Sequence, residues 1–323
     1  MISTPTRVSE LPDRIFVAGH RGMVGSAICR RLAQERCEVL TASRSEVDLR
    51  DPHQTHDFFR RNRPDAVVFA AARVGGIHAN NSLPVEFLQD NVQMTVAAIE
   101  ASFNTDVKRF LMLGSTCIYP RECPQPITES SLLTGPLEST NEAYALAKIT
   151  GVKLCEFYRR QKGVLYHSAM PTNLYGPGDN YHESNSHVLP ALLHRFHQAK
   201  NDGLPSVTIW GSGRAQREFL HCDDLADSIV HLLKLADPPD WVNVGTGKSI
   251  SIADLATLIA ETTGYDGEIK TDPSRPDGTP IKCSDVSLLN ELGWRHTIDL
   301  KSGLQSTYES FLSELQLGKL RSV

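Results

Sequence analysis

The sequence predicts an α/β fold in which a doubly wound parallel sheet is followed by a smaller C-terminal α/β domain. Between Arg14 and Met170, short apolar runs alternate with longer segments of helical periodicity, a pattern typical of parallel sheets with helices on both faces. From Pro177 onward glycines and prolines multiply and the predicted elements become shorter. The expected sheet domain comprises 14–177, with 215–245 returning to it, and the expected second domain comprises 178–214 and 246–323.

The first predicted strand ends in a glycine-rich turn. The apolar run Arg14–Ala18 precedes Gly19, Gly22 and Gly25, which open a predicted helix from about residue 23 to residue 34. The spacing is Gly-x-x-Gly-x-x-Gly rather than Gly-x-Gly-x-x-Gly, so it fits the dinucleotide-binding pattern only loosely. The order of strand, turn and helix nevertheless predicts that a diphosphate binds at the helix N-terminus, as in Rossmann-type folds.

The second predicted strand, Glu38–Ser43, indicates which dinucleotide binds. An NAD enzyme would place Asp or Glu at its end to hold the ribose 2′-hydroxyl. This chain has Arg44 there and Arg21 in the glycine-rich turn, and two guanidinium groups suit a 2′-phosphate. We therefore expect NADPH rather than NADH, the alternative being that one arginine is a solvated surface residue. Asp48 and Leu49 are expected to border the adenine.

The remaining elements of the first half follow the same alternation. Asp51 is the expected N-cap of the next helix, with Pro52 at its first position. The small residues 70–72 would let a cofactor pass over the end of the third strand. The other predicted elements are a strand at 65–70, a helix at about 84–102, a strand ending at Gly114, a helix at about 142–161 and a strand at 164–170.

A candidate catalytic group follows the strand that ends at Gly114. Ser115 and Cys117 come directly after it, and Tyr144 and Lys148 share one face of the next helix at positions i and i+4. We expect the ammonium to lower the pKa of the phenol, which is normally about 10. Such a phenol can protonate a carbonyl oxygen, with the serine hydroxyl as a second donor. A thiol can additionally remove protons from the carbons beside a ketone.

Composition restricts the possible functions. The chain has 323 residues, a net charge of −5 and no basic stripe interleaved with aromatic residues, which argues against nucleic acid as the main partner. No apolar run approaches 18 residues, and residues 1–13 lack the core of a signal peptide, so no membrane association is expected. The seven cysteines are scattered without a Cys-x-x-Cys pair, which favours free thiols in a reducing cytoplasm.

Two other patterns only imitate known sites. His194 and His197 share a helix face, but no cysteine or carboxylate clusters with them, so we expect surface or capping histidines and no metal site. The run Gly245–Ser249 resembles the end of a phosphate-binding loop, but Val242 occupies the position of the required first glycine. An ordinary turn is the expected structure there.

Several motifs carry a resemblance to a known family. They are Gly19–Gly25 (GHRGMVG), Val74–Ile77 (VGGI), Ser115–Pro120 (STCIYP), Pro171–Pro177 (PTNLYGP) and Asn185–Val188 (NSHV). With these motifs the chain resembles the extended short-chain dehydrogenase/reductase family of nucleotide-sugar enzymes, from about residue 14 to residue 312. Thr116 stands where the family often has a second serine, and both residues provide a hydroxyl group.

The resemblance implies a substrate and two reactions. The members with the most similar pattern act on GDP-4-keto-6-deoxy-D-mannose, invert C3 and C5, and reduce C4 with NADPH. Cys117 would be the base and His187 the acid of the inversions, while Tyr144, Ser115 and Lys148 would serve reduction, with Lys148 also holding the nicotinamide ribose. Relatives pair the helices near 84–102 and 142–161 in a homodimer, which is expected here too.

The resemblance also implies sets of binding residues. The implied cofactor contacts are Gly19, His20, Arg21, Gly22, Met23, Val24, Gly25, Arg44, Asp48, Leu49, Ala71, Leu113, Gly114, Ser115, Thr116, Tyr144, Lys148, Pro171, Asn173, Leu174 and His187. The implied substrate contacts are Asn173, Arg195, Trp210, Arg217, Asp277 and Lys282. Arg217 would contact the diphosphate, and Asp277 with Lys282 would contact the guanine or its ribose. Solvated side chains are the alternative for the substrate set except Arg217.

Two other functions remain possible on the same fold. A nucleotide-sugar 4-epimerase or 4,6-dehydratase would use tightly held NAD. A dehydratase would need a carboxylic acid where this chain has Cys117, and a 4-epimerase would need no base beside the ketone. A non-enzymatic NADP-sensing regulator would typically lack the pair Tyr144 and Lys148, which this chain keeps.

Overall fold

The computed structural model describes residues 10–182, 186–275 and 277–322. Asn185 of the NSHV motif and the first nine residues therefore lie outside the described residues. Six parallel strands form the main sheet in the order β2-β1-β3-β4-β5-β9, which confirms the predicted fold class. These strands are β1 (Arg14–Ala18), β2 (Glu38–Leu40), β3 (Ala66–Phe69), β4 (Arg109–Leu113), β5 (Leu165–Pro171) and β9 (Trp241–Val244).

Helices cover both faces of this sheet. They are α1 (Met23–Leu32), α2 (Pro52–Asn62), α3 (Ile77–Ser82), α4 (Pro84–Asn104), α5 (Glu142–Lys162) and α7 (Cys222–Leu233). Alternate residues of β1 point to opposite faces, so Ile15 and Val17 pack with α1 and α7, whereas Phe16 packs with α2 and α4. Within the described residues, no helix combines the length and apolar character that crossing a bilayer requires.

The local signals explain most element boundaries. The Asp51 carboxylate accepts hydrogen bonds from the backbone N–H groups of His53 and Gln54, at 2.9 and 3.1 Å, so it caps α2 as predicted. Strand β2 is shorter than the predicted 38–43. Its continuation ends in a turn because the Ser43 backbone N–H donates to the Glu46 carboxylate, at 2.7 Å, instead of to a neighbouring strand.

The second half builds two smaller sheets. Strands β6 (Asn173–Tyr175), β8 (Gln216–His221), β10 (Ser249–Ser251) and β12 (Ile281–Lys282) form one, and β7 (Ser206–Trp210) pairs with β11 (Glu268–Asp272) in the other. The helices α6 (Val188–Asn201), α8 (Ile252–Thr263), α9 (Ser287–Glu291) and α10 (Leu300–Gln316) complete the chain. Most of them enclose a separate apolar core with Phe196, Ile259 and Phe311.

The stretch 215–245 divides between the two parts. Strand β9 pairs with β5 in the main sheet, and α7 packs against α1. Strand β8 instead pairs with β6, β10 and β12. The expectation that this stretch returns to the main sheet is therefore wrong for β8, because that strand's backbone groups are paired within the four-stranded sheet.

The strand order creates a crevice at one edge of the main sheet. The chain proceeds from β1 to β2 on one side and then crosses to β3 on the other side of β1. Ligands of doubly wound sheets bind at such a switch point, outside the carboxyl ends of the strands. The turns that follow β1, β3, β4 and β5 all lie at this edge, because parallel strands end on the same side.

Candidate active site

The glycine-rich turn packs closely against the backbone around it and leads into the N-terminus of α1. Gly19 has a φ of +84°, and a Cβ built on it would lie 2.8 Å from the backbone nitrogen of Ala71. A Cβ on Gly25 would overlap the carbonyl oxygen of Gly19. Helix α1 begins at Met23, with Gly22 as an N-cap that has no capping side chain, and its first turn contains no acidic residue. The site therefore fits a dinucleotide diphosphate at the helix N-terminus.

The arginine expected at the 2′-phosphate is available to a ligand. The Arg44 side chain is 72% exposed, and its only ion pair within the described part of the chain is a long contact of 3.8 Å with Asp48. Asp48 is bound more closely by Arg50, at 2.6 Å, which lowers the pKa of the Asp48 carboxyl to about 2. Leu49 packs against the sheet core beside it. His20 and Arg21 act on Glu46, whose pKa is lowered chiefly by a hydrogen bond from Ser43.

The turn after β4 brings the candidate catalytic residues together. The Lys148 Nζ atom donates to the carbonyl oxygen of Leu113 at 2.7 Å, which ties α5 to the end of β4. The Ser115 hydroxyl oxygen accepts from the backbone N–H of Cys117 at 3.3 Å and caps a short 3-10 helix, Thr116–Ile118. Gly114 has no room for a side chain, because a Cβ there would overlap Met170. The Cys117 side chain is 9% exposed.

Burial governs the ionisation of Tyr144 and Lys148. The Lys148 Nζ atom lies 5.6 Å from the centre of the Tyr144 ring. Burial, and then the charge of the Cys117 thiolate, raise the pKa of Tyr144. The expectation of a lowered pKa is wrong for this structure, because burial and the charge of Cys117 both raise it. Burial also lowers the pKa of Lys148 to about 8, against the opposing effect of Cys117. At neutral pH the phenol is therefore a protonated donor.

One cation of the four-stranded sheet, Lys282, interacts electrostatically with Cys117, and Arg217 lies beside Lys282. Arg217 and Lys282 are register partners on the parallel strands β8 and β12, so their side chains share a face. The Arg217 Nη1 atom donates to the carbonyl oxygen of Thr279 at 2.6 Å, and desolvation lowers its pKa. Burial lowers the pKa of Lys282, and the Cys117 thiolate opposes that shift. Cys117 is thus in electrostatic contact with Tyr144, Lys148 and Lys282.

His187 lies at the beginning of α6. It is the N-cap residue of that helix, and its side chain makes no capping hydrogen bond. The side chain is exposed, although the surrounding protein desolvates it and lowers its pKa below 6.5. At neutral pH the ring is therefore mainly the uncharged imidazole. Within the described residues, His187 is not among the groups that interact with Cys117.

The turn after β5 carries three further expected cofactor contacts. Pro171 is buried at the end of β5, and Leu174 packs against the core of the main sheet. The Asn173 Nδ2 atom donates to the backbone carbonyl oxygen of Glu218 at 2.9 Å. This hydrogen bond joins the turn after β5 to β8, so the side-chain NH₂ group of Asn173 already has a partner within the protein.

The remaining substrate candidates lie around the end of β7. Trp210 is 65% exposed, and the Arg275 guanidinium carbon lies 5.2 Å above its ring. The Asp277 carboxylate accepts from the backbone N–H and hydroxyl of Ser212, at 2.6 and 2.8 Å, and the hydroxyl and backbone hydrogen bonds lower its pKa. The Arg195 Nη1 atom donates to the carbonyl oxygen of Thr208 at 2.9 Å. The stacking of Arg275 had no signal in the sequence.

The histidines that suggested a metal site have protein partners. The Nδ1 atom of His194 lies 3.1 Å from the carbonyl oxygen of Tyr181, and that of His197 lies 2.9 Å from the Tyr308 hydroxyl. His197 is 8% exposed, so the expectation of a surface histidine is wrong there. A cluster of potential ligands also occurs at His221–Asp223. Its histidine Nδ1 atom caps α7, and its aspartate pairs with Arg30.

Glu218 is a structural residue that the sequence did not reveal. This buried carboxylate accepts hydrogen bonds from the backbone N–H groups of Thr246 and Gly247, at 2.6 and 2.7 Å, and from that of Ser284 at 2.7 Å. It thereby fills the position that an anion would take in the turn at 245–249. The available signal was a carboxylate directly before the apolar pair Phe219 and Leu220.

The chain matches known proteins over most of its length. Residues 15–245 match the model of the NAD dependent epimerase/dehydratase family. GDP-L-fucose synthase of Escherichia coli (strain K12) is 52% identical over 311 residues, which cover 93% of this chain and 97% of that protein. GDP-L-fucose synthase 1 of Arabidopsis thaliana is 48% identical over 314 residues, which cover 97% of both.

A solved structure agrees with these matches. A GDP-L-fucose synthetase from Naegleria fowleri bound to NADP superimposes with a TM-score of 0.87 at 27% identity, over 98% of this chain and 99% of that chain. The superposition agrees with the fold class of this chain, which has a six-stranded parallel sheet with flanking helices. By the family model and by the identity and coverage of its relatives, the chain belongs to the NAD-dependent epimerase/dehydratase family.

Proposed function

We propose that the protein makes GDP-L-fucose from GDP-4-keto-6-deoxy-D-mannose, by inverting C3 and C5 and reducing the C4 ketone with NADPH. The GDP-L-fucose synthases among its relatives, at about half identity over nearly the whole chain, support this activity. The structural observation that carries it is the position of the Cys117 thiol, in electrostatic contact with Tyr144, Lys148 and Lys282. A thiol beside a phenol suits a site that both exchanges carbon-bound protons and protonates an oxygen.

The two inversions need proton transfer on opposite faces of the sugar ring. In the proposal, the Cys117 thiolate removes a proton from C3 or C5, and the electrons of the broken C–H bond move into the C4 carbonyl. Tyr144 and Ser115 then donate hydrogen bonds to the enolate oxygen. The imidazolium of His187 delivers a proton to the opposite face as the carbonyl re-forms. This role requires the substrate complex to raise the pKa of His187 above its value in the free protein.

The reduction uses the same oxygen site. The bound NADPH supplies the hydride that C4 receives. Because burial raises its pKa, Tyr144 is protonated at neutral pH and can give its proton to the developing alkoxide. Lys148, with a pKa of about 8, then favours the phenolate that remains. Arg44 and Arg21 hold the 2′-phosphate, Arg217 neutralises the diphosphate of the nucleotide sugar, and Lys282 with Asp277 contacts the guanine or its ribose.

In the proposal, the two parts of the chain bind different ligands. Residues 14–177 bind the cofactor, and 178–214 with 246–323 bind the nucleotide sugar. The chain acts as a homodimer through α4 and α5, which expose apolar side chains such as Leu88 and Leu146. Seven free thiols suit the reducing conditions of the cytoplasm, where we place the protein.

The decisive experiment is incubation of the purified protein with GDP-4-keto-6-deoxy-D-mannose and NADPH. The expected result is stoichiometric NADPH oxidation and a product that NMR identifies as GDP-L-fucose. A 4-epimerase would consume no NADPH, and a 4-reductase without Cys117 chemistry would give the product with C3 and C5 uninverted. Either result would contradict the proposal.

A further inference from the structure

The C-terminal tail reaches the glycine-rich turn. The carbonyl oxygen of Arg321 accepts a hydrogen bond from the backbone N–H of Tyr181 at 2.9 Å, and Leu320 packs against the core of the second part. A Cβ built on Gly22 would lie 3.9 Å from the Nη1 atom of Arg321. The guanidinium group of the tail therefore lies beside the residue that caps α1.

The segment under the tail is also held against α1. The backbone N–H of Gly178 donates to the Glu314 carboxylate, near the end of α10, at 3.0 Å. A Cβ on Gly178 would lie 3.9 Å from the Cα atom of Met23. Arg321 is thus placed by packing and backbone hydrogen bonds of both neighbouring segments, rather than by its own charge.

Charges of both signs meet at this place. The N-terminus of α1 carries the positive end of the helix dipole, and its first turn contains no acidic side chain. Arg321 and Glu314 act with opposite sign on Asp179, which is 5% exposed and whose Oδ2 atom has no hydrogen-bond partner within the described residues. Burial raises the pKa of Asp179 to about 7, so this carboxyl is only partly ionised at neutral pH. An anion between Arg321 and α1 would interact favourably with both the guanidinium group and the helix dipole.

We propose that Arg321, contributed by the C-terminal tail, binds the diphosphate of the dinucleotide cofactor. A guanidinium group can donate two parallel hydrogen bonds to phosphate oxygens, and the backbone N–H groups at the start of α1 provide the other donors. The inference rests on the proposed placement of the cofactor at the glycine-rich turn. It adds a residue from the second part of the chain to a site that the first part otherwise builds.

Equilibrium binding of NADPH and NADH separates this role from that of Arg44, because the two cofactors share the diphosphate and differ in the 2′-phosphate. Fluorescence titration should show that Arg321→Ala weakens both cofactors by the same factor, roughly tenfold or more, as expected for loss of a charge-assisted hydrogen bond. Arg44→Ala should weaken NADPH alone. Lys319→Ala, which removes an exposed cation from the same tail, should change neither affinity.

Two further variants protect the experiment against a folding defect. Arg321→Lys keeps the charge and should recover part of the affinity, whereas Arg321→Gln keeps a polar but uncharged side chain and should resemble Arg321→Ala. All variants should unfold at the wild-type temperature without nucleotide. Wild-type affinity for both cofactors in Arg321→Ala would overturn the inference, and so would a loss confined to NADPH. If the wild-type protein binds neither cofactor, that result would instead contradict the proposed function.

Discussion

Cys117 differs from an ordinary buried cysteine in the charges around it. Cys155 is fully buried in the main-sheet core, where burial raises the pKa of its thiol to about 12. The Cys117 thiolate instead influences the ionisation of Tyr144, Lys148 and Lys282. Two of these neighbours, Lys148 and Lys282, carry ammonium groups. Position 117 therefore lies among the ionisable groups of the candidate site, whereas Cys155 lies in an apolar core.

Cys117→Ser should separate the two reactions. An alcohol is a far weaker acid than a thiol, so it is rarely present as the anion that removes a proton. We expect uptake of deuterium from solvent at C3 and C5 to fall by roughly 10²–10⁴-fold, while hydride transfer to a ketosugar continues. NMR of the product formed in D₂O measures the uptake. Tyr144→Phe is the matched comparison: it should keep part of the exchange, because Ser115 still donates to the enolate oxygen, but lose most NADPH oxidation. Exchange at the wild-type rate in Cys117→Ser would refute the base role.

His167 provides a test of stability rather than catalysis. This side chain on β5 is fully buried, and neither ring nitrogen has a hydrogen-bond partner within the described residues. Burial, with Arg109 and Arg159, lowers its pKa from 6.5 to about 3. Between these two values the unfolded chain binds the proton and the folded chain does not, so stability falls as the pH falls.

His167→Leu should remove this pH dependence. At pH 7 we expect the free energy of unfolding to rise by roughly 1–2 kcal/mol, because an unsatisfied polar group is replaced by an apolar one. The difference should grow by about 2 kcal/mol between pH 7 and pH 5. Urea unfolding at the two pH values measures it. His53→Leu, at an exposed position of α2, should show no such growth. A difference that is constant with pH would contradict the assignment of a neutral buried His167.

At the scale of elements, β8 connects the cofactor side to the substrate side. Arg217 and Glu218 are consecutive, so their side chains point to opposite faces of the strand. Arg217 shares its face with Lys282, while Glu218 fixes the backbone at Thr246, Gly247 and Ser284 from the other face. The buried carboxylate thereby sets the position of β12 and, with it, of Lys282.

Glu218→Gln should therefore weaken substrate binding indirectly. In the native protein these backbone N–H groups donate to carboxylate oxygens, whereas in the variant some of them would face the NH₂ group of the amide, which is itself a donor. We therefore expect a loss of roughly 1.5–3 kcal/mol in the free energy of unfolding. The KM for the nucleotide sugar should rise more than kcat falls, since the residue touches no reacting atom. Steady-state kinetics and urea unfolding measure the two effects. Glu261→Gln, on the exposed surface of α8, is the control for both.

The sequence predicts those elements whose signals are local. Helices α4 and α5 begin where expected, at Pro84 and Glu142, because proline at the first position and apolar periodicity are signals within one helix. The four-stranded sheet has no comparable signal, since it joins short strands that are far apart in the chain. Glu218, Arg275 and Arg321 act through contacts that only this folding creates. The raised pKa of Tyr144 also depends on burial, which residue spacing does not reveal.

At the scale of the molecule, the proposed site lies between two separately built parts. The turn after β4 and helix α5 supply Cys117 and Tyr144, the four-stranded sheet supplies Arg217 and Lys282, and the tail brings Arg321 to the glycine-rich turn. Each part has its own apolar core. The hydrogen bond at 2.9 Å from the Asn173 amide to the backbone of β8 is one of the links that hold the catalytic and binding groups in position.

The proposed dimer would cover the exposed apolar side chains of α4 and α5. Val85 and Leu88 on α4 are 65% and 37% exposed, and Leu146 and Phe157 on α5 are each 41% exposed. A single added charge at this face would have to be desolvated in the dimer interface, which is strongly unfavourable without a partner. We expect Leu146→Glu to have the mass of one chain by light scattering at concentrations where the wild type has the mass of two. Leu315→Glu, at a similarly exposed position of α10, should remain a dimer. A wild-type protein with the mass of one chain would show that these helices are an exposed surface of a monomer.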